Sequence, residues 1–254
     1  MLKALLLLLL IPPVFGQTKP VELRIAAAAD LQPVLEAVGP VYEKKANVHL
    51  LVSYAASSIL VSQIISAGPG GPFDVFMGAD FYFPEKVIAA NLADTGSPIP
   101  YAKGTLVLWT RNGSPFNPLH LSALESSNLK SLAIADPEHA PYGRAAVEAL
   151  KALKIQDKVK DHLVRAENVG QAGQFAFTGN AELAIISKTL AVSPKFKQSG
   201  TFVLFPFSSY NSITQTAVVL RSSAQRDAAH AFLNWFLSSE VQPHLPDLGL
   251  TPVK

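Results

Sequence analysis

The stretch RIAAAADLQPVL, Arg24 to Leu35, reads as a strand that turns directly into a helix. Leu23 to Ala28 is a continuous apolar run, suited to burial on both faces of a sheet. Beyond Asp30 the period changes. Leu31, Val34, Leu35, Val38 and Tyr42 fall at i, i+3, i+4, i+7 and i+11, one face of a helix. Three other stretches repeat the plan: LLVSYAASSILVSQI from Leu50, SLAIADPEHAPYGRAAVEAL from Ser131 and HLVRAENVGQAGQFAF from His162. Each helix start offers N–H groups without an intrahelical acceptor and the positive end of a dipole. The turns themselves carry no Lys or Arg. Four such starts point to a site that holds an anion with neutral donors.

The pattern around these stretches sets the organisation. Val48 to Tyr54 reads as a second strand, followed by a helix with Leu60, Ile64 and Ala67 on one face. Gly68-Pro69-Gly70-Gly71-Pro72 stops that helix, and Phe73 to Met77 is a third strand. This βαβαβ order predicts a parallel sheet with helices on both faces. Gly104 to Trp109 reads as a strand with no turn motif after it. A second α/β unit then follows: strands at Leu132–Ala135, Leu163–Ala166 and Leu183–Ile186, with helices at Gly143–Leu153 and Gly170–Thr178. Thr214 to Leu220 is another apolar strand, and Ala224 to Leu237 a closing helix that buries Ala228, Phe232, Trp235 and Phe236. The expected architecture is two α/β lobes, residues 17–102 with 217–254 returning, and residues 103–216, joined by crossings near Tyr101–Thr105 and Asn211–Thr216. Ligands of open α/β sheets sit beyond the carboxyl ends of the strands. All four turns lie at such ends, two per lobe, so they can face each other across a cleft.

Composition narrows the function. The chain has 254 residues, a formal net charge of +2 and no dense basic run, which argues against a nucleic-acid partner. It has no cysteine, so disulfides, thiolate metal sites and cysteine nucleophiles are excluded. Lys3, the apolar run Ala4 to Ile11 and the small residue at the end of Val14-Phe15-Gly16 read as an export signal, residues 1–16, cleaved after Gly16. The expected location is periplasmic or otherwise extracytoplasmic.

The motifs AAAADL, YAASSIL with the following GGPFDVFMGAD, ADPEHAPYG, and AENV followed by AELAIIS resemble the periplasmic molybdate-binding proteins of ABC importers. The resemblance spans essentially the whole mature chain, and ADPEHAPYG is its most specific part. It implies a two-lobed type II periplasmic binding protein fold that closes over a tetrahedral dianion, molybdate or tungstate, and hands it to a membrane ABC importer permease. Carried over by position, the ligand shell is Ala29, Asp30, Ser57, Tyr142 and Val169. Ser57 gives its hydroxyl and N–H, Val169 its N–H, and Tyr142 its phenol or its N–H. Some relatives place a tyrosine at the position of Ser187 instead. The resemblance further implies no enzymatic activity, no cofactor, no bound metal cation and a monomer.

One position departs from the pattern. Relatives usually carry Ser or Asn where this chain has Asp30, and an ionised carboxylate donates nothing. Two readings follow. Asp30 caps its own helix through the N–H of Gln32 and points away from the ligand, or it accepts a proton carried by a ligand such as hydrogen phosphate or arsenate. The cap is the expected role. Another oxyanion, sulfate included, is the alternative ligand. A metal cluster at Asp136, Glu138 and His139 is disfavoured, because Pro137 imposes a turn and His139 has no histidine partner at i+4. Asp74 and Asp80 read as structural. A secreted hydrolase built on Ser57 and His139 lacks the G-x-S-x-G elbow.

Overall fold

The computed structural model describes residues 19–253. The export signal expected at residues 1–16 lies outside the described residues. Ten strands run β1 Val21–Ala28, β2 Val48–Ala55, β3 Val75–Gly78, β4 Ile99–Gly104, β5 Leu106–Arg111, β6 Leu132–Ala135, β7 Leu163–Ala166, β8 Leu183–Ser187, β9 Gly200–Leu204 and β10 Ile213–Val219. The helices between them are α1 Gln32–Ala46, α2 Ser57–Ala67, α3 Tyr82–Ala89, α4 Pro141–Ala152, α5 Gln156–Val159, α6 Val169–Thr178, α7 Lys188–Val192, α8 Pro194–Ser199 and α9 Arg226–Phe236.

Two five-stranded sheets result, ordered β2-β1-β3-β10-β4 and β7-β6-β8-β5-β9. Each has three parallel strands followed by an antiparallel fourth, β10 in the first sheet and β5 in the second. Where Gly104 to Trp109 reads as one strand, the structure has two. β4 ends at Gly104 as the edge of the first sheet, and β5 begins at Leu106 inside the second. Pro100 sits within β4 and obscures it in the sequence, yet an edge strand tolerates a missing N–H. The first crossing is thus the single residue Thr105. The second runs from β9 to the start of β10 at Ile213.

The first sheet is covered on both faces. One face packs α1 and α9, where Tyr42 meets Phe232 edge-on at 5.3 Å between ring centres and Trp235 at 4.8 Å. α9 buries Phe232, Leu233, Trp235 and Phe236 as its apolar period predicts, with Ala229 rather than Ala228 innermost. The other face packs α2 and α3 through Leu60, Val61, Ile64, Phe83 and Val87. The second sheet has its own core, including Trp109, Ile185 and Phe196. Burying a side chain of this size is worth roughly 1.5–3 kcal/mol. Each lobe thus has packing of its own, and the second lobe's cluster also takes in Ala28, Ala29 and Ala79 of the first where the two meet.

Candidate functional site

The four helix starts converge. Ala29 and Asp30 after β1, Ala56 and Ser57 after β2, Ala140 to Tyr142 at the start of α4, and Asn168 and Val169 at the start of α6 line one cavity of about 10 Å³. Drug-sized ligands occupy pockets of about 300–1,000 Å³ and are excluded here; so tight a space leaves room for nothing larger than a small ion. All five residues expected in the ligand shell line it. No Lys or Arg is among its described lining residues, whose ionisable side chains are Asp30 and Tyr142.

The local sequence leaves donors for that cavity. Ala28 precedes the 3₁₀ turn Ala29–Leu31 that leads into α1, Ala56 precedes α2 and Ala140 precedes α4, and none provides a side-chain cap. Ser, Thr, Asp or Asn is preferred there, and replacing such a cap with Ala typically costs about 1 kcal/mol. At α6 alone, Asn168 caps, accepting from the N–H of Gln171 at 3.0 Å. Buried helix starts without caps need acceptors from elsewhere. Ser57 Oγ accepts the N–H of Ala79 at 3.3 Å, which leaves its own proton to donate.

Asp30 is not a cap. Its side chain makes no bond to the start of α1, and the residue is buried. Its Oδ2 instead accepts from the Nε2 of Gln215 on β10, and the neighbouring Tyr142 phenol favours the ionised carboxylate. Gln215 Nε2 also reaches Tyr142 Oη at 3.2 Å. Asp30 Oδ1 is buried without a partner, as is Gln215 Oε1. Burial pushes the Asp30 carboxyl up to about 7, against the lowering effects of Gln215, Tyr142 and its own backbone N–H. The local rule for an Asp before a helix fails because the turn lies inside the molecule, where the side-chain amide of Gln215, distant in sequence, claims the carboxylate. Burial also drives the phenols of Tyr142 and Tyr101 well above their ordinary range, and the nearby Asp30 charge adds to it.

Several contacts bridge the two sheets around this cavity. Ser58 N–H donates to His139 O at 3.3 Å, and Thr189 Oγ1 donates to Asp30 O at 2.7 Å. Arg144 on α4 pairs with Asp80 at the end of β3 and lies over the Phe83 ring, 5.3 Å from its centre. Asp80 also caps α3 by accepting from Phe83 N–H at 3.1 Å. Asp74 stays within the first lobe, accepting from Arg24 N–H at 2.7 Å and Ser223 Oγ at 2.5 Å. Ser187 is buried beside Thr189, 2.8 Å between hydroxyls, and does not line the cavity. The ligand atoms of Asp136, Glu138 and His139 come within 4.8 Å of one another on a turn, in which Asp136 Oδ1 accepts Glu138 N–H. Gln215, Thr189, Gly104 and the Arg144–Asp80 pair were not anticipated from sequence. The available signal for Gln215 was an amide inside an otherwise apolar strand.

A larger cleft of about 780 Å³ opens beside the cavity, between α1 and the α6–α8 face, and shares Ala29 and Asn168 with it. Two α/β lobes joined by crossing strands, with helix starts from both facing a small cavity, define a two-lobed solute-binding protein. The chain belongs to the bacterial extracellular solute-binding protein family, whose pattern matches residues 23–251. It is 31% identical over 220 residues to the molybdate-binding protein ModA of Rhodobacter capsulatus, covering 87% of this chain and 84% of that one. It is 32% identical over 214 residues to ModA of Azotobacter vinelandii, covering 84% and 83%. The solved periplasmic molybdate-binding protein of Azotobacter vinelandii superposes with a TM-score of 0.82 at 28% identity, over 91% of this chain and all of that one. Among the described residues no helix is long and apolar enough to cross a membrane.

Proposed function

We propose that this chain is exported by its N-terminal segment, captures molybdate or tungstate, and delivers it to a membrane ABC importer. One observation carries the reading: four helix starts, three without a side-chain cap, meet at a small cavity whose described lining has no basic side chain. The N–H groups of Ala29, Ser57, Tyr142 and Val169 and the hydroxyl of Ser57 form the donor shell. A fully deprotonated tetrahedral dianion accepts at every oxygen and fits such a shell. Sulfate has the same charge with shorter bonds, so the size of the closed cavity selects against it. The names of the relatives support the same ion. In this reading the lobes divide at Thr105 and just before Ile213, rather than at 102/103 and 216/217, which keeps β4 and β10 whole in the first sheet and makes the two crossings the hinge. The chain acts as a monomer without a cofactor.

A second reading rests on Asp30. Its unpartnered oxygen is an acceptor in the shell, and an acceptor suits a protonated oxyanion such as hydrogen phosphate or arsenate. A thermal-shift panel decides between the two. Molybdate and tungstate should raise the melting temperature, with about 2.7 kcal/mol of stabilisation at a hundredfold excess over Kd. Stabilisation by phosphate or arsenate alone would give the site to the second reading.

A further inference from the structure

We propose that Asp30 binds the oxyanion as a neutral carboxylic acid, so that capture of each molybdate takes up one proton from solvent. The inference rests on the molybdate reading above and adds a proton to it. Asp30 is 1% exposed, lines the cavity, and has one oxygen, Oδ1, without a partner. Its other oxygen, Oδ2, is already held by Gln215 Nε2. A dianion in the cavity therefore meets either a carboxylate charge or a proton on that carboxylate. Two like charges in a buried site disfavour each other's ionised forms, and the weaker acid keeps the proton. Molybdate is fully deprotonated at neutral pH, so the proton resides on Asp30. The balance is simple: one proton joins Oδ1, the O–H donates to an oxygen of the ion, and the ion stays a dianion. The unpartnered acceptor becomes the missing donor, which reconciles Asp30 with a donor-only shell.

The surroundings make this proton available in the working range. Burial already holds the carboxyl at about 7 in the protein alone. The groups packed against it are Tyr142 from α4, Tyr101 from β4, the neutral Gln215 from β10 and Thr189 from α7. Both tyrosines titrate far above that range. Asp80, which acts on Tyr101, has Arg144 as its own partner. Asp30 is thus the group positioned to change charge on binding.

The test is calorimetric titration of the wild-type protein with molybdate between pH 6.5 and 9, in pairs of buffers with different ionisation enthalpies. Above the carboxyl's own pKa, uptake should approach one proton per ion and Kd should rise about tenfold per pH unit. Both effects should fade toward pH 6.5. Asp30→Asn should bind with no proton uptake and a flat Kd, and should be the tighter binder at pH 9. Molybdate binding by the wild type with no buffer-dependent heat and a flat Kd overturns the proton while leaving the function intact. Binding of phosphate but not molybdate or tungstate overturns both. The wild-type measurement stands alone if the variant does not fold.

Discussion

At the scale of single residues, the site separates two ways in which a polar side chain can serve a ligand. Ser57 is the simple case. Its hydroxyl accepts from Ala79 and so has a proton to give. Ser57→Ala should weaken molybdate binding by roughly 1.5–3 kcal/mol, the range for a hydrogen bond to a charged group. Folding should suffer by about 1–3 kcal/mol, since the buried N–H of Ala79 loses its acceptor. Calorimetry returning an unchanged affinity would remove Ser57 from the shell. Asp30 is the harder case, and its effect is visible without ligand. Its folded carboxyl is raised from 3.8 to about 7, so the folded state binds more protons than the unfolded state between those values. Stability then falls as pH rises through that window, by an amount on the order of 4 kcal/mol at the most. The ligand-free melting temperature should drop between pH 5 and pH 8 in the wild type, and Asp30→Asn should flatten the drop. Equal slopes in the two proteins would mean that Asp30 is not the group responsible. The five proposed shell positions could be named from sequence because the resemblance carries them onto the strand-turn-helix starts, and all five line the cavity. The role of Asp30 could not, since it depends on Gln215, 185 positions away in the chain.

At the scale of elements, the helix starts depend on how closely strands approach them. The end of β4 is the sharpest example. A Cβ on Gly104 would overlap the Tyr142 hydroxyl and crowd Gln215 Nε2 at 3.2 Å. Glycine is required here for space, not for backbone conformation, because the phenol occupies the volume a methyl group would take. Gly104→Ala should destabilise by about 1–3 kcal/mol, as overpacking of a core does. That lowers the melting temperature by about 2–4 °C for each kcal/mol in a chain of this size. It should weaken molybdate binding as well, since the start of α4 must shift. A variant with wild-type affinity would show that Tyr142 can move without consequence. Elements with a clean apolar period, such as β6, α6 and α9, could be read from sequence nearly to the residue. β4 could not, because Pro100 and a polar edge break the pattern. β9 was also missed. It is the edge of the second sheet, and its residues are only partly buried, so no period marks it.

At the scale of the whole molecule, two lobes follow from the repeated βα pattern, but what holds them together does not. Closure rests on contacts between residues far apart in sequence: Ser58 with His139, Thr189 with Asp30, and Arg144 with Asp80. A binding protein of this kind gains affinity only from what its ligand prefers in the closed state. Its apparent Kd equals the intrinsic value divided by the closed fraction. The Arg144–Asp80 pair contributes to that fraction before any ligand arrives. Burial raises the Asp80 carboxyl, and the Arg144 charge pulls it back only in part, so Asp80 is better satisfied with its partner than without. The Arg144 side chain is 35% exposed, which screens the attraction and limits the pair to about 1 kcal/mol. Arg144→Ala should therefore leave each lobe folded, shift the free protein toward the open form, and raise the molybdate Kd about fivefold, the equivalent of that energy. Most of the change should appear in the dissociation rate, because the ion leaves when the lobes part. Stopped-flow release of molybdate, with small-angle scattering of the ligand-free protein, measures both. A compact free protein with unchanged release would show that the other bridging contacts hold the lobes closed without Arg144.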